Sequence, residues 1–387
     1  MNDLTTEVAA AFDDTVGAIA GDPHQTQHRL LSDRLLTRIV CTHASCAEGM
    51  ARLSTAFNGA LKAAGSGQNT IEAFITESEE IFRKIAVLFQ HPEWSPNERV
   101  RSFNEATLAT SLAKSTSDGR FCIIKCYEYF YYVYDTTSNR CLMATTGEKK
   151  AMSMVNILLL TPYLLHGDLF AVHGGLVSDG RNSVLLSSTS LGGKTTFAFL
   201  FLENGWRIVT EETTYITRHG EPLRYNIRNY FNVRAGTYLE FKDFFLKAGI
   251  VADAFLAMAD TARTELFDVG KKGQISIDFD ALCANGGVAG AGRITHALKV
   301  GLDKQRSGMH VEQSDSAEVV DRFLEVSLAP TVMLFEGLTN MSTLDGNARK
   351  QELLQILGDV KSYTVTSGFD YRKNFDSLLT ELGLSGN

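Results

Sequence analysis

Cysteine is scarce. The 387-residue chain has six, Cys41, Cys46, Cys122, Cys126, Cys141 and Cys283, and none falls in the C-x-x-C spacing of a structural zinc site or a redox pair. They read as reduced thiols. Cys41 and Cys46 bracket His43, but they sit in a helical pattern without a fourth ligand, so core packing is expected of them. Long apolar runs are also missing: the longest, Val155 to Leu165, falls well short of the roughly 20 residues a membrane-spanning helix needs. The N-terminal MNDLTTEVAAAFDD has neither the basic nor the apolar region of a secretory signal. A cytoplasmic protein without a membrane segment is the expectation. Positive charge is not in excess either. A net charge of -8 excludes a general nucleic-acid or anionic-membrane surface, since such surfaces depend on clustered Lys and Arg. A local basic pocket stays open. No internal repeat is evident.

What the chain does have is 44% apolar residues over a length that suits two ordinary domains. Residues 1–115 read as a helical N-terminal domain, from apolar residues repeating every three or four positions: Val8, Phe12, Val16 and Ile19; Met50, Leu53, Phe57 and Leu61; Phe74, Ile75, Ile81, Phe82, Ile85 and Phe89. Asn69-Thr70-Ile71-Glu72 and Ser95-Pro96-Asn97-Glu98 resemble capping boxes at helix starts. From Phe121 the pattern turns to β-branched and aromatic residues, and 121–144 reads as a hairpin turning at Asp135 to Asn139. Its tyrosines suit a strand, with a stacking surface as the functional alternative.

A helix over Met152 to Leu165 and a buried strand Leu169 to Val172 follow, leading into His173. Further strands are expected around Leu223 to Val233, at Thr331 to Phe335 and at Tyr363 to Thr366. Helices are expected from Ser314 toward Leu328 and over Tyr371 to Leu382. The Gly-rich Asn285 to Arg293 lacks a following Lys-Ser/Thr and reads as a loop.

Chemistry concentrates between His173 and Ile216. Ser188-Thr189-Ser190-Leu191-Gly192-Gly193-Lys194-Thr195 fits the G-x-x-x-x-G-K-[ST] phosphate loop except that Ser188 replaces the first glycine. In such loops backbone amides wrap the phosphates, Lys neutralises them and the hydroxyl binds Mg²⁺. The setting matches: Val184 to Leu186 is an apolar strand before the loop, and Thr196 to Leu202 an apolar helix after it, whose N-terminus favours anions. A short strand, Ile208-Val209, then ends in Glu211-Glu212. One carboxylate there can hold Mg²⁺ and the other can take a proton from a hydroxyl nucleophile.

In order and spacing this block resembles the HPr kinase/phosphorylase family, whose phosphate loop lies on a fold related to phosphoenolpyruvate carboxykinase. His173-Gly174 stands before the loop, Gly193-Lys194-Thr195 in it, and Glu211-Glu212 where the family has an Asp pair. Asn232-Val233-Arg234-Ala235-Gly236-Thr237 resembles the basic-x-Gly-Ser/Thr segment that follows. The resemblance covers roughly residues 150–385. It implies an α+β or α/β protein in which residues 116–387 form an HPr-kinase-like nucleotide-binding domain with a mixed sheet, the 121–144 hairpin leading in after the helical N-terminal region.

Carried over residue by residue, the resemblance implies ATP and Mg²⁺ as cofactors. Ser188, Thr189, Ser190, Gly192, Gly193, Lys194, Thr195 and Thr196 would cradle the nucleotide, and Thr195 and Glu211 would hold the metal. Glu212 is the implied general base, with Lys194, His173 and Arg234 completing the catalytic set. Ser188 and Leu191 replace family glycines, and each Glu is one methylene longer than the family's Asp. No segment for recognising the phosphocarrier protein is evident, so HPr is not expected as substrate. The function expected is an ATP-dependent kinase for a hydroxyl on a small molecule or peptide, in natural-product tailoring and as a homo-oligomer. The alternative is a catalytically impaired nucleotide-binding regulatory or scaffold protein. Carboxykinase chemistry ranks third, for want of its metal-ligand set.

Overall fold

The computed structural model describes residues 3–32, 35–60, 69–96, 111–126, 128–147, 149–188, 192–226, 230–261, 273–278, 292–303, 305–318, 320–321 and 346–385. The protein mixes helices with sheets of mixed strand orientation. Its described residues fall into two compact units, one running to Phe170 and including 346–349, the other running from Ala171 and resuming at Lys350. Among the described residues, no helix is long and apolar enough to cross a membrane.

The first unit is built on α1 (Leu4–Ala20), β1 (Thr26–Leu31), β2 (Leu35–Cys41), α2 (Ala44–Ala60), β3 (Asn69–Thr76), α3 (Glu79–Phe89), β4 (Ser95–Pro96), β5 (Ser111–Ser115), β6 (Phe121–Cys126), β7 (Phe130–Asp135), β8 (Arg140–Thr145) and α4 (Lys149–Leu165). All eight strands join one sheet in the order β1-β2-β3-β8-β7-β6-β5-β4. Register sets Phe74, Leu142, Val133 and Ile123 side by side on one face, where they pack with Val8, Phe12, Val16 and Ile19 of α1 and Ile85 and Phe89 of α3. Thr37, of opposite parity to Val40 beside Phe74, faces the other way. There the Tyr163 hydroxyl of α4 donates to the Leu30 carbonyl (2.6 Å), and the Phe57 ring of α2 meets the Tyr163 ring edge-on at 4.5 Å. The unit is thus a sheet between helical layers.

The helical reading of residues 1–115 is corrected by these strands. α1, α2 and α3 are helices as expected, but β1, β2 and β3 lie between them, and the expected domain boundary at 115 falls between two paired strands, β5 and β6. The supposed capping box at Asn69 opens β3, and at Ser95-Pro96 the chain is β4; Asn97 and Glu98 lie outside the described residues. The physical reason is burial on both faces. β3 pairs in parallel with β2 and β8 under helices on each side, so its Ala73-Phe74-Ile75 run shows no alternation and mimics a buried helix segment. The 121–144 segment is three strands rather than a two-stranded lead-in, and belongs to this sheet. The edge of β1 is guarded by α2: the Leu31 N–H donates to Asn58 Oδ1 (3.1 Å), while Asn58 Nδ2 and Ser54 Oγ donate to the Arg29 carbonyl (2.9 and 2.7 Å).

Beyond β9 (Leu169–Val172), the second unit contains β10 (Gly175–Ser178), β11 (Ser183–Ser187), α5 (Lys194–Glu203), β12 (Arg207–Thr210), β13 (Thr214–Thr217), β14 (Tyr230–Arg234), α6 (Ala235–Glu240), α7 (Lys242–Lys247), α8 (Asp253–Leu256), β15 (Gln274–Asp278), β16 (His296–Leu302), β17 (Met309–Gln313), α9 (Gly346–Ile356, spanning the division at 349), β18 (Lys361–Ser367) and α10 (Phe375–Glu381). Its six-stranded sheet runs β12-β10-β11-β16-β18-β17. β11, β16 and β18 are parallel, and β10 is antiparallel to both β11 and β12, so β12 points the same way as β11 one strand away. The expected strand at 331–335 and the end of the helix expected after Ser314 lie outside the described residues, as does most of the Gly-rich Asn285 to Arg293.

α5 is apolar nearly all round and buried to match. Phe199 sits among the rings of Phe245 (4.9 Å), Phe231 (5.8 Å), Phe241 (5.8 Å) and Phe244 (6.1 Å), and Phe201 meets Trp206 at 4.9 Å and Phe375 at 5.1 Å. At the start of β16 the buried His296 bonds through Nε2 to the Leu382 carbonyl (3.0 Å); a carbonyl only accepts, so Nε2 carries the proton. Burial chiefly, with Lys361 adding to it, holds the His296 pKa below its ordinary 6.5. The unfolded chain therefore takes up the proton first as pH falls. Stability from this group is full above pH 6.5 and is lost as pH drops toward the folded-state pKa. Thermal unfolding scans between pH 7 and 5 should show part of the acid-side loss vanish in His296→Gln.

Candidate functional site

β11 is buried along its length and ends at Ser187, after which Ser188, buried, opens the expected loop. Thr189, Ser190 and Leu191 lie outside the described residues. Gly193 caps the N-terminus of α5 with φ 97° and ψ 8°, and a Cβ there would stand 2.7 Å from Leu302 Cγ. Conformation and space both demand glycine. Leu302 gets there because β16 runs parallel to β11 with Lys299 opposite Ser187, and so extends beyond the end of β11.

In the first turn of α5 the Phe197 N–H donates to the Gly193 carbonyl at 2.9 Å, and among the described residues no side chain caps the helix. The amides of Lys194, Thr195 and Thr196 precede the intrahelical ladder. That turn has no acidic residue and opens with Lys194, a cation at the positive end of the helix dipole. The sign is wrong for helix stability and right for an anion bound there.

Strand order brings the acid pair to the same edge. Gly175 pairs with Leu186 near the end of β11, and Leu176 with Thr210 at the end of β12, so His173-Gly174, the loop and Glu211-Glu212 share one end of the sheet. Two strand spacings, about 10 Å, separate the ends of β11 and β12. Gly175 makes the close fit possible, because a Cβ there would lie 2.7 Å from the Glu211 carbonyl oxygen and 3.2 Å from that of Thr210. The Thr214 hydroxyl donates to the Gly174 carbonyl (2.8 Å), Thr210 and Thr214 hydroxyls meet at 2.6 Å, and the Leu176 N–H donates to Thr210 Oγ1 (3.1 Å). The Glu211 N–H donates to Asn226 Oδ1 (3.4 Å). Glu211 is buried, and Glu212 beside it is half-buried and the more open to a ligand.

No family model matches the chain, and no curated protein matches it in sequence. Geometry and chemistry are what define the site.

Arg234 enters through a hydroxyl contact. Thr196 Oγ1 and Thr237 Oγ1, both buried, meet at 3.0 Å and join the first turn of α5 to that of α6. Arg234 is the N-cap residue of α6, about one helical turn (~5 Å) before Thr237. Its Nη1 is buried without a hydrogen-bond partner among the described residues, and burial lowers the guanidinium pKa. An Arg remains protonated under such a shift, so the half-buried side chain keeps a positive charge beside the first turn of α6. Thr196, expected to bind nucleotide, has its hydroxyl engaged with Thr237 and offers the site its backbone amide.

Of the residues expected to act, Ser188, Gly192, Gly193, Lys194, Thr195, Thr196, His173, Glu211, Glu212 and Arg234 all belong to this one unit. The sequence patterns do not single out Thr210, Thr214, Asn226, Gly175 or Leu302. The threonines flanking the acid pair, in Thr210-Glu-Glu-Thr-Thr214, and the Gly174-Gly175 doublet were the available signals.

Among the described residues, no three His, Cys, Asp or Glu side chains form a cluster that could hold a metal ion alone. Mg²⁺ commonly takes only one or two carboxylates and completes its shell with phosphate oxygens and water. A hydroxyl at Thr195 and a carboxylate at Glu211, on one edge of the sheet with the helix N-terminus and an Arg234 Nη1 that has no partner among the described residues, fit a Mg²⁺-nucleotide.

Proposed function

We propose that this protein is an ATP- and Mg²⁺-dependent phosphotransferase acting on a hydroxyl of a small molecule or peptide. The observation that carries the reading is Arg234, a half-buried residue whose buried Nη1 has no partner among the described residues, about one turn from the contact that joins α6 to the first turn of α5. A phosphate answers both that Nη1 and the first turn of α5. Likeness to the HPr kinase/phosphorylase family in the spacing of His173, Lys194 and Glu212 supports the same conclusion.

In this reading Lys194 and the amides of Gly193 to Thr196 bind and orient the phosphates. Arg234 stabilises charge on the transferred group. Glu212 accepts the proton of the attacking hydroxyl at its carboxylate, and His173 orients that carboxylate or touches phosphate. Thr195 and Glu211 would hold Mg²⁺, which when bound neutralises charge across the β- and γ-phosphate oxygens.

Titration calorimetry with ATP-Mg²⁺ tests the reading directly. Arg234→Met should weaken binding about 10–100-fold, as loss of a charged hydrogen bond of roughly 1.5–3 kcal/mol implies. The thermal midpoint of the nucleotide-free protein should hold or rise, because an unpaired buried polar group is removed. Equal affinity in wild type and variant would refute the role of Arg234. A second reading, a nucleotide-binding regulatory or scaffold protein, is favoured by one observation: Ser188, buried, stands where the loop pattern calls for glycine. Binding without turnover would select it.

A further inference from the structure

We infer that Thr210 and Thr214 are positioning residues that lock the Glu211-Glu212 turn to the His173-Gly174 loop, an assignment that rests on the kinase reading above. The donor order in this buried network is fixed by its proton count. Thr214 has one hydroxyl proton and gives it to the Gly174 carbonyl at 2.8 Å. In the 2.6 Å contact between the hydroxyls, Thr210 must therefore be the donor. Thr210 Oγ1 in turn accepts the Leu176 N–H at 3.1 Å. The chain of bonds runs Leu176 N–H to Thr210 to Thr214 to Gly174 C=O, starting and ending on the same short stretch of backbone.

Between the two threonines lie only Glu211, Glu212 and Thr213, so both ends of the carboxylate turn are pinned to the segment that carries His173. Gly175 seals the contact, with the Glu211 carbonyl where its Cβ would be. Both hydroxyls are fully buried, which removes water as a substitute partner. A network saturated in this way has one arrangement, and the carboxylate of Glu212 inherits it. The phosphates are held elsewhere, by the first turn of α5 and Arg234. The network should therefore govern the chemical step and leave nucleotide affinity alone.

The test is ATP hydrolysis to water by the full-length protein with Mg²⁺, which needs no knowledge of the acceptor. Thr214→Val keeps the shape and removes the bond to Gly174. Expected is a fall in kcat of about 10–100-fold with KM for ATP within about twofold, since a misplacement near 1 Å can cost on the order of 100-fold. Thr214→Ser restores the hydroxyl and should recover kcat to within about threefold of wild type. Thr210→Val breaks the same chain at its other end and should match Thr214→Val. The positioning role is overturned if Thr214→Val stays within twofold of wild type, if kcat and KM fail together, or if Ser does not rescue. Wild-type protein that binds ATP without hydrolysing it, or that does not bind it, overturns the kinase reading and this role together.

Discussion

Lys194→Ala and Glu212→Gln are each expected to lower phosphoryl transfer by about 10²–10⁴-fold, the range for removing a positioned charge stabiliser or a general base. The fold should survive both changes. Lys194 is the first residue of α5 and half-buried, and Ala there is a strong helix former. Glu212 is half-buried in a turn, and Gln keeps its shape while losing the proton acceptor. The two variants should differ in binding. Calorimetry should find ATP affinity reduced in Lys194→Ala and nearly unchanged in Glu212→Gln, because one group meets the phosphates and the other meets the acceptor. Turnover of γ-labelled ATP with candidate hydroxyl compounds checks the rates, and wild-type activity in either variant would refute the assigned mechanism.

Phe199→Ala should destabilise the second unit by about 3–5 kcal/mol, the range for emptying a buried aromatic site. Four phenylalanine rings surround Phe199, drawn from β14, from the residue between α6 and α7, and from α7. Deleting it leaves a cavity that rigid neighbours fill poorly. With total stability typically 5–15 kcal/mol, such a loss is a large share, and urea unfolding should show a much lower midpoint. Phe199→Leu should cost far less, under about 1.5 kcal/mol where the core repacks. The effect should reach the site as well, since α5 presents the amides and Lys194. A Phe199→Ala protein as stable as wild type would mean that α5 is not held by this cluster.

Residue patterns revealed the parts of the candidate site more readily than the architecture of the first unit. Val184 to Leu186, Thr196 to Leu202 and Ile208-Val209 read as strand, helix and strand, as the structure has them, because each is short and different in kind from its neighbours. The stripe Val8, Phe12, Val16 and Ile19 likewise reads as the helix it is, with a single buried face. β3 hides its period. A strand covered by helices on both sides loses the period of two that marks a half-exposed strand, and Ile71 to Thr76 then looks as helical as Phe82 to Phe89.

The amino-acid order by itself determined the local chemistry: a Gly-Gly-Lys-Thr turn between an apolar strand and an apolar helix, a paired carboxylate at a strand end, and a His-Gly before them. These are short-range facts, set by backbone freedom at glycine and by side-chain polarity. Only the tertiary structure decided which of these segments meet. The insertion of β10 antiparallel between β11 and β12 put loop, acid pair and His173 on one edge, the Thr196–Thr237 contact brought Arg234 to α5, and the Thr210–Thr214 hydroxyls tied the acid pair to Gly174. The reason is that strand neighbours and buried hydroxyl partners are chosen by which surfaces must be covered and which donors satisfied throughout the unit. A window of sequence does not contain that information.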